Sequence, residues 1–237
     1  MNYGFIRISA SSLKLKVADV SFNVSMIKEA IDKALEMGVK LLVTPELSVT
    51  GYTCADLFFT DVIIRKSEKA VSIIADYIKE KDIVVVLGAP VAFYNKIYNC
   101  AVVLDNSGVK GIVPKKHLAN YNEFYEKRWF ASGFDFEFAQ PISFAGFDTQ
   151  IGDMIFDLGQ GAVLGIELCE DLWVPNPPSS TLVLQGANII ANLSASDEYV
   201  SKAQYRRELV SNQSARCICA YVYSGASVFE STTDLVF

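Results

Sequence analysis

Three reactive side chains each stand close behind a stretch of apolar residues typical of a buried β-strand. Glu46 follows residues 40–44, Lys115 follows residues 109–113, and Cys169 follows residues 162–168. Side chains at the ends of strands in an α/β sheet meet in one crevice. We therefore expect a carboxylate, an ammonium and a thiol to lie together.

This combination suits attack by sulfur on a carbonyl or nitrile carbon. The carboxylate can remove the thiol proton, and the ammonium can stabilise first the thiolate and then the oxyanion. At neutral pH only a small fraction of an unassisted thiol is ionised, so both the base and the cation are needed. The predicted chemistry is nucleophilic cleavage of a carbon–nitrogen bond.

Each of these residues also has a simpler interpretation. A free cysteine beside a buried strand is commonly a small core residue, and the carboxylates that follow Cys169 oppose ionisation of its thiol. Glu46 suits a surface or capping carboxylate, while Lys115 and Lys116 suit solvated charges. His117, the single histidine, is an alternative base for the thiol. The residues alone leave these alternatives open.

Composition excludes several classes of protein. With 237 residues, 51% of them hydrophobic and 20% charged, the chain can form one large folded domain. A net charge of −6 argues against a nucleic-acid partner. No signal peptide or membrane-spanning stretch is recognisable, so we expect a cytoplasmic protein that does not bind membranes.

The cysteines do not form a recognisable framework. They are odd in number and unevenly spaced, which argues against structural disulfides. With one histidine and no C-x-x-C pair, a metal site is not expected either. The segment from Cys217 to Tyr223 is apolar enough for a buried strand, so Cys217 and Cys219 are predicted to be core residues.

Apolar periodicity predicts alternating strands and helices. A first helix is expected from Asn23, as N-cap, to Gly38, and a later helix is expected to be capped by Ser179 or Ser180. The pattern indicates a layered α/β protein with two mixed sheets between helices. The strands are predicted at residues 3–9, 40–44, 83–87, 98–104, 109–113, 162–168, 187–192 and 218–223.

Three segments together resemble a known family. They are PELSVTGY at residues 45–52, KKHLANYNEFYEKRWF at residues 115–130 and ELCEDLW at residues 167–173. They resemble the catalytic segments of the nitrilase, or carbon–nitrogen hydrolase, superfamily. The second and third are most similar to the N-terminal glutaminase domain of glutamine-dependent NAD(+) synthetases.

The resemblance implies a fold and a catalytic triad. The fold is a four-layer α-β-β-α sandwich, with Glu46 as general base, Cys169 as nucleophile and Lys115 as stabiliser of the tetrahedral intermediate. Lys115 is preferred to Lys116 because the family lysine lies three residues before the leucine matched by Leu118. No metal or cofactor is implied for this domain.

The same match implies supporting residues. Glu126 would orient the lysine or the substrate, while Tyr121, Ser196 and Lys202 would contact L-glutamine. Ser196 equally suits a turn or helix cap, and Lys202 equally suits a solvated helix lysine. These alternatives stay open in the sequence.

The chain departs from the family pattern at three places. Ala119 stands where proline is frequent, which should loosen a turn without affecting the chemistry, and Phe229 stands where glycine is usual, which could reshape a loop. No Ser-Gly-Gly-x-Asp-Ser loop precedes the last residue, Phe237. Residues 1–237 are thus expected to be an amidase domain truncated before a C-terminal synthetase domain, which would hold the ATP and Mg²⁺.

The expected function is release of ammonia from L-glutamine, in a protein expected to be a homo-oligomer. In the full protein the ammonia would amidate nicotinic acid adenine dinucleotide. An amidase or nitrilase for another small substrate is the nearest alternative, because the triad does not determine the pocket. A catalytically silent module that keeps the fold for assembly is a further alternative.

Overall fold

The computed structural model describes residues 4–237 and contains eleven strands and five α-helices. The strands are β1 (Ile8–Ala10), β2 (Leu41–Val43), β3 (Val84–Phe93), β4 (Lys96–Asp105), β5 (Gly108–Pro114), β6 (Gln140–Phe144), β7 (Phe147–Ile151), β8 (Phe156–Asp157), β9 (Val163–Leu168), β10 (Ile189–Ser194) and β11 (Ala220–Gly225). The helices are α1 (Val20–Glu36), α2 (Asp61–Ile78), α3 (Glu126–Trp129), α4 (Pro178–Leu184) and α5 (Lys202–Cys217).

The strands form two mixed sheets. One sheet has seven strands in the order β1-β2-β3-β4-β5-β7-β6, and the other has four in the order β11-β10-β9-β8. In the first, β1, β2 and β3 are parallel and β3, β4 and β5 form antiparallel pairs. In the second, β9, β10 and β11 are parallel. Parallel strands bring their carboxyl ends to one edge, where the predicted site residues follow.

Apolar side chains define the layers. Ile27 of α1 and Ile74 of α2 are fully buried against the outer face of the seven-stranded sheet. Between the sheets, side chains such as Val43 and Ile166 form a second cluster. Outside the smaller sheet, Leu182 of α4 packs on Ile190. The order is helix, sheet, sheet, helix, which confirms the predicted α-β-β-α sandwich.

Helix α1 begins earlier than predicted. Its N-cap is Asp19, whose carboxylate accepts the N–H of Phe22 at 3.1 Å. Asn23 is a buried helical residue instead: its Oδ1 accepts from Lys16 N at 2.8 Å and its Nδ2 donates to Val49 O at 3.2 Å. Asn23 therefore ties the helix to the segment that follows β2.

Other local predictions need correction. The first strand begins at Ile8, and Tyr3 lies outside the described residues. The N-cap of α4 is Pro177, not Ser179 or Ser180, because the helix already begins at Pro178, and proline suits the first helical position.

The segment 217–219 is not a buried strand. Cys217 ends α5, Ile218 is left-handed and 90% exposed, and both cysteines are only half-buried. Helix termination, with its left-handed cap, overrides the apolar pattern here. Each helix within residues 4–237 is too short or too polar to span a lipid bilayer.

Candidate active site

The structure brings the predicted base and lysine into one buried ion cluster. Lys115 follows β5, and its Nζ lies 2.7 Å from Glu46 Oε1, beyond the end of β2. The same Nζ lies 2.7 Å from Glu126 Oε1, at the start of α3. Burial alone would lower the pKa of Lys115, but the carboxylates of Glu126 and Glu46 outweigh it and hold the pKa well above its usual range. Lys115 is therefore a permanent ammonium.

Glu46 is fixed from several directions. Asn99 Nδ2 of β4 donates to its Oε1 at 2.7 Å, and Ala195 N, beyond β10, donates to its Oε2 at 2.9 Å. The backbone of its loop also presses on Gly88 of β3, where a Cβ would come within 2.4 Å of Pro45 O. The carboxylate thus joins the two sheets in a single orientation.

In the described part of the chain, Glu126 has three donors. Besides Lys115, the hydroxyl of Tyr52 donates to its Oε1 at 2.6 Å, and Ala119 N donates to its Oε2 at 3.2 Å. Burial raises the pKa of Glu126, and the Lys115 ammonium opposes this shift. A proline at position 119 could not donate this hydrogen bond, and the expectation that Ala119 leaves the chemistry untouched stays a prediction.

Cys169 stands at the turn after β9. Its backbone is left-handed with φ 43°, and the side chain is buried, 5% exposed. Its N–H donates to Asn192 Oδ1 of the neighbouring strand at 3.1 Å. Burial raises the pKa of the thiol well above its usual range, and Glu46 adds to this while Lys115 opposes it. The resting group is a neutral thiol that must lose its proton during attack.

Asp171 connects the lysine and cysteine segments. One carboxylate oxygen accepts His117 N at 2.7 Å, and the other accepts Leu168 N at 3.0 Å. Burial raises the pKa of Asp171 to about 7. The loop after β5 and the turn after β9 are therefore held at a fixed separation.

The two alternatives to Lys115 and Glu46 lie elsewhere. Lys116 pairs with the exposed carboxylate of Asp153. The His117 ring packs edge-on against Phe134, with the ring centroids 5.0 Å apart. Lys115, by contrast, is fully buried in the cluster beside Cys169.

The predicted glutamine contacts lie around this cluster. The Tyr121 hydroxyl donates to Glu170 Oε2 at 2.8 Å, immediately after the cysteine. Lys202, at the start of α5, pairs with Asp197 and has its Nζ 5.3 Å from the Trp173 ring centroid. Both residues therefore lie beside the cysteine turn.

Ser196 contacts Arg206. Its hydroxyl accepts a long hydrogen bond of 3.4 Å from Arg206 Nη1 of α5. The Phe229 ring is 52% exposed, and Lys14 Nζ lies 5.2 Å from its centroid.

Sequence reasoning missed four residues that hold this cluster: Tyr52, Asn99, Asp171 and Asn192. Asn99 had a signal, since it is a polar residue inside the long apolar stretch of β4. Tyr52 lies within the first matched segment, but nothing in that segment shows that its hydroxyl reaches α3. Among residues 4–237 there is no group of three or more His, Cys, Asp or Glu side chains placed to hold a metal ion.

The fold and the cysteine, glutamate and lysine site define a cysteine-nucleophile hydrolase. The chain belongs to the carbon–nitrogen hydrolase family, whose model matches residues 7–232. Over 238 residues it is 38% identical to the glutamine-dependent NAD(+) synthetase of Mycobacterium tuberculosis, covering 99% of this chain and 35% of that protein. The human glutamine-dependent NAD(+) synthetase is 29% identical over 213 residues, covering 86% of this chain and 30% of that protein.

Solved structures show the same relationship. A glutamine-dependent NAD(+) synthetase from Cytophaga hutchinsonii superposes with a TM-score of 0.83 at 32% identity, covering 94% of this chain and 36% of that one. An amidase from Nesterenkonia sp. shares the fold with a TM-score of 0.79 at 20% identity, covering 98% of this chain and 79% of that one. The chain thus spans about a third of the length of the curated relatives it matches, 35% for the mycobacterial protein.

Proposed function

We propose that this chain is a glutaminase, which hydrolyses the side-chain amide of L-glutamine to glutamate and ammonia through a thioester on Cys169. The observation that carries the proposal is the fully buried ammonium of Lys115 between Glu46 and Glu126, beside the cysteine. The relatives that share this region are named as glutamine-dependent synthetases, which supports glutamine as the amide.

The hydrogen bonds indicate which oxygen of Glu46 is the base. Oε1 already accepts from Lys115 and Asn99, whereas Oε2, among residues 4–237, accepts only from Ala195 N. A carboxylate oxygen has room for two donors. Oε2 therefore keeps a free acceptor position, and it is the atom to which we assign the thiol proton.

The reaction then runs in two halves. Glu46 takes the proton from Cys169 as the sulfur bonds to the amide carbon, and Lys115 stabilises the oxyanion. Glu46 returns the proton to the nitrogen, the carbon–nitrogen bond breaks, and ammonia leaves a glutamyl thioester. Glu46 next takes a proton from water as the water oxygen bonds to the thioester carbon. The carbon–sulfur bond then breaks, and Glu46 gives this proton to the departing sulfur, which yields glutamate, the free thiol and the Glu46 carboxylate.

Charged groups at the cysteine turn suit the two ends of an amino acid. The Glu170 carboxylate, held by Tyr121, is placed to accept an α-ammonium group. Lys202 can pair with an α-carboxylate, which would share the ammonium with Asp197. Ser196 lies just past β10, where its hydroxyl would add a further donor.

The product suggests a place in a larger protein. By analogy with the names of its relatives, the ammonia would pass to a C-terminal synthetase domain of the same protein, which would use ATP and Mg²⁺ to amidate nicotinic acid adenine dinucleotide. We further propose that the protein is a cytoplasmic homo-oligomer. Purification of the full-length protein, followed by a measurement of its mass by light scattering, would test assembly.

A glutamine-like electrophile tests the proposed activity directly. The chain is incubated with a diazo-ketone analogue of glutamine, and adducts are located by peptide mass spectrometry. L-Glutamine and the one-methylene-shorter L-asparagine serve as matched competitors. Cys169→Ala and the half-buried Cys219→Ala serve as matched variants.

We expect an adduct at Cys169 that glutamine suppresses and asparagine does not, and that Cys219→Ala leaves unchanged. Fast labelling of Cys169 by chloroacetamide but not by the analogue would reject glutamine in favour of another amide. Cys169 alkylation no faster than that of the other cysteines would indicate a catalytically silent module.

A further inference from the structure

The segment after β11 folds back onto the active-site loop. Glu230 lies there in a short 3₁₀ turn, Val228–Glu230, and its side chain is fully buried. Its Oε2 accepts the N–H of Tyr52 at 2.8 Å. Its own carbonyl accepts the Thr53 hydroxyl at 2.8 Å. One residue near the end of the chain therefore holds two consecutive residues of the loop that carries Glu46.

Tyr52 transmits this position to the ion cluster. Its hydroxyl donates to Glu126 Oε1, the atom that also binds Lys115. The ring is held edge-on by Phe124 at 6.4 Å and by Phe237 at 6.1 Å between centroids. These two rings restrict rotation of the Tyr52 side chain. A shift of the Tyr52 backbone therefore moves its hydroxyl relative to Glu126, because the side chain cannot rotate to compensate.

The backbone before Tyr52 has little freedom to adjust. Gly51 is left-handed with φ 81°, and a Cβ there would lie 3.1 Å from Val17 Cα and 3.6 Å from Glu230 Oε2. The other oxygen of Glu230, Oε1, has no hydrogen-bond partner among residues 4–237. The Tyr52 N–H is thus the close hydrogen-bond donor to this carboxyl among residues 4–237, and the Ser227 N–H also favours its charged form.

We propose that Glu230 is a positioning residue for amide cleavage, which fixes the backbone of Tyr52 and through its hydroxyl sets Glu126 and the ammonium of Lys115. This inference rests on the proposed glutaminase function. Nothing in it requires Glu230 to touch the substrate or to transfer a proton.

Burial raises the pKa of Glu230 to about 7, so the carboxyl is partly neutral near neutral pH. A neutral amide of the same size is therefore a fair substitute. Glu230→Gln keeps an acceptor for the Tyr52 N–H, whereas Glu230→Met keeps the volume and removes the acceptor. Thr53→Val, which removes the hydroxyl bond to the Glu230 carbonyl, disturbs the same junction without changing the carboxyl.

The test measures kcat and KM for glutamine, the rate of Cys169 alkylation by chloroacetamide and the Tm, in these three variants, in Tyr52→Phe and in the double variant Glu230→Met/Tyr52→Phe. Loss of a buried acceptor is expected to lower kcat about tenfold in Glu230→Met with KM little changed. Glu230→Gln is expected to restore kcat. Glu230→Met should add little to Tyr52→Phe, because both act through the same hydroxyl.

Multiplicative effects in the double variant would overturn the inference, as would a kcat in Glu230→Gln as low as in Tyr52→Phe. The inference would also fail if Thr53→Val and Glu230→Met lowered the Tm equally and lowered kcat by the same factor. If the wild-type chain does not hydrolyse glutamine but alkylation of Cys169 follows the expected order of variants, the proposed function fails and the role of Glu230 stands. Normal glutamine turnover with equal alkylation in all variants rejects the role of Glu230 alone.

Discussion

Two buried glutamates hold the ends of two different sheets, and their partners differ in kind. Glu46 pairs at 2.7 Å with the buried ammonium of Lys115. Glu167, in β9, accepts the Ser179 N–H at 2.7 Å and the Tyr221 hydroxyl. Among residues 4–237, no lysine or arginine pairs with Glu167.

This difference separates the carboxylate that we propose as the base from a structural one. Burial raises the pKa of Glu167, against hydrogen bonds from Tyr221, Ser179 and Asn192. Neutral donors satisfy it in place and join β9 to α4 and β11, two residues before Cys169. Glu46 instead shares a fixed cation with Glu126, and among residues 4–237 its Oε2 has a single donor, which leaves one acceptor position open. Burial of a carboxylate is therefore not enough to mark a base.

The same substitution at both glutamates gives the largest expected contrast. Glu46→Gln removes the proposed proton acceptor and should lower kcat for glutamine by about 10²–10⁴-fold. Glu167→Gln should leave kcat nearly unchanged, because the Tyr221 hydroxyl can reverse its hydrogen bond. Steady-state ammonia release measures both. Equal losses in the two variants would remove the distinction drawn between them.

Removal of the cation tests how far the site depends on charge pairing. Lys115→Met leaves Glu46 and Glu126 buried without a counter-ion, which should cost about 3–5 kcal/mol of unfolding free energy. It should also lower kcat by about 10²–10³-fold, through loss of oxyanion stabilisation.

Lys116→Met is the matched control, because its partner Asp153 is exposed. That variant should lose at most about 1 kcal/mol of unfolding free energy. Urea denaturation of the three proteins gives these values. If Lys115→Met were as stable as the control, Glu46 and Glu126 would not need the Lys115 ammonium as a counter-ion for folding.

Truncation at the structural glutamate should affect stability more than chemistry. Glu167→Ala leaves the Tyr221 hydroxyl and the Ser179 N–H without their acceptor, at a cost of about 1–3 kcal/mol in unfolding free energy. The kcat of the protein that remains folded should change little. Denaturation and active-site titration on the same sample separate the two effects, and a large fall in kcat per folded site would give Glu167 a role in catalysis.

Asp171 predicts a smaller, pH-dependent effect. Its pKa is raised by burial from 3.8 to about 7, so the folded state holds a proton that the unfolded state has lost. Its contribution to stability is fully present below the unfolded pKa and is lost as pH rises through about 7. Asp171→Asn should therefore flatten the decline in unfolding free energy between about pH 4 and 7. An unchanged slope would mean that Asp171 stays ionised when folded.

The sequence predicts the catalytic cluster better than its supports. Glu46, Lys115 and Cys169 follow apolar strands, so topology alone brings them to one edge. Asn99 and Asp171 were missed because their partners lie far away along the chain. Asn99 meets Glu46 across 53 positions, and Asp171 meets His117 across 54. No local pattern encodes such contacts.

Loops and helix ends were predicted least well. Asp19 rather than Asn23 caps α1, since a short polar residue suits a cap or a buried hydrogen bond equally. Ser196 and Lys202 follow β10, where side-chain partners depend on how α5 packs. Only the structure shows that Ser196 is paired with Arg206, and Lys202 with Asp197.

Gly88 shows how a position without chemistry can be as constrained as the nucleophile. Any side chain there would meet Leu47 N at 2.3 Å and Pro45 O at 2.4 Å, both backbone atoms that cannot swing aside. In a library of all single substitutions selected for activity, position 88 should therefore be as depleted of variants as position 169. A selection profile read without the structure would count this glycine among the catalytic residues.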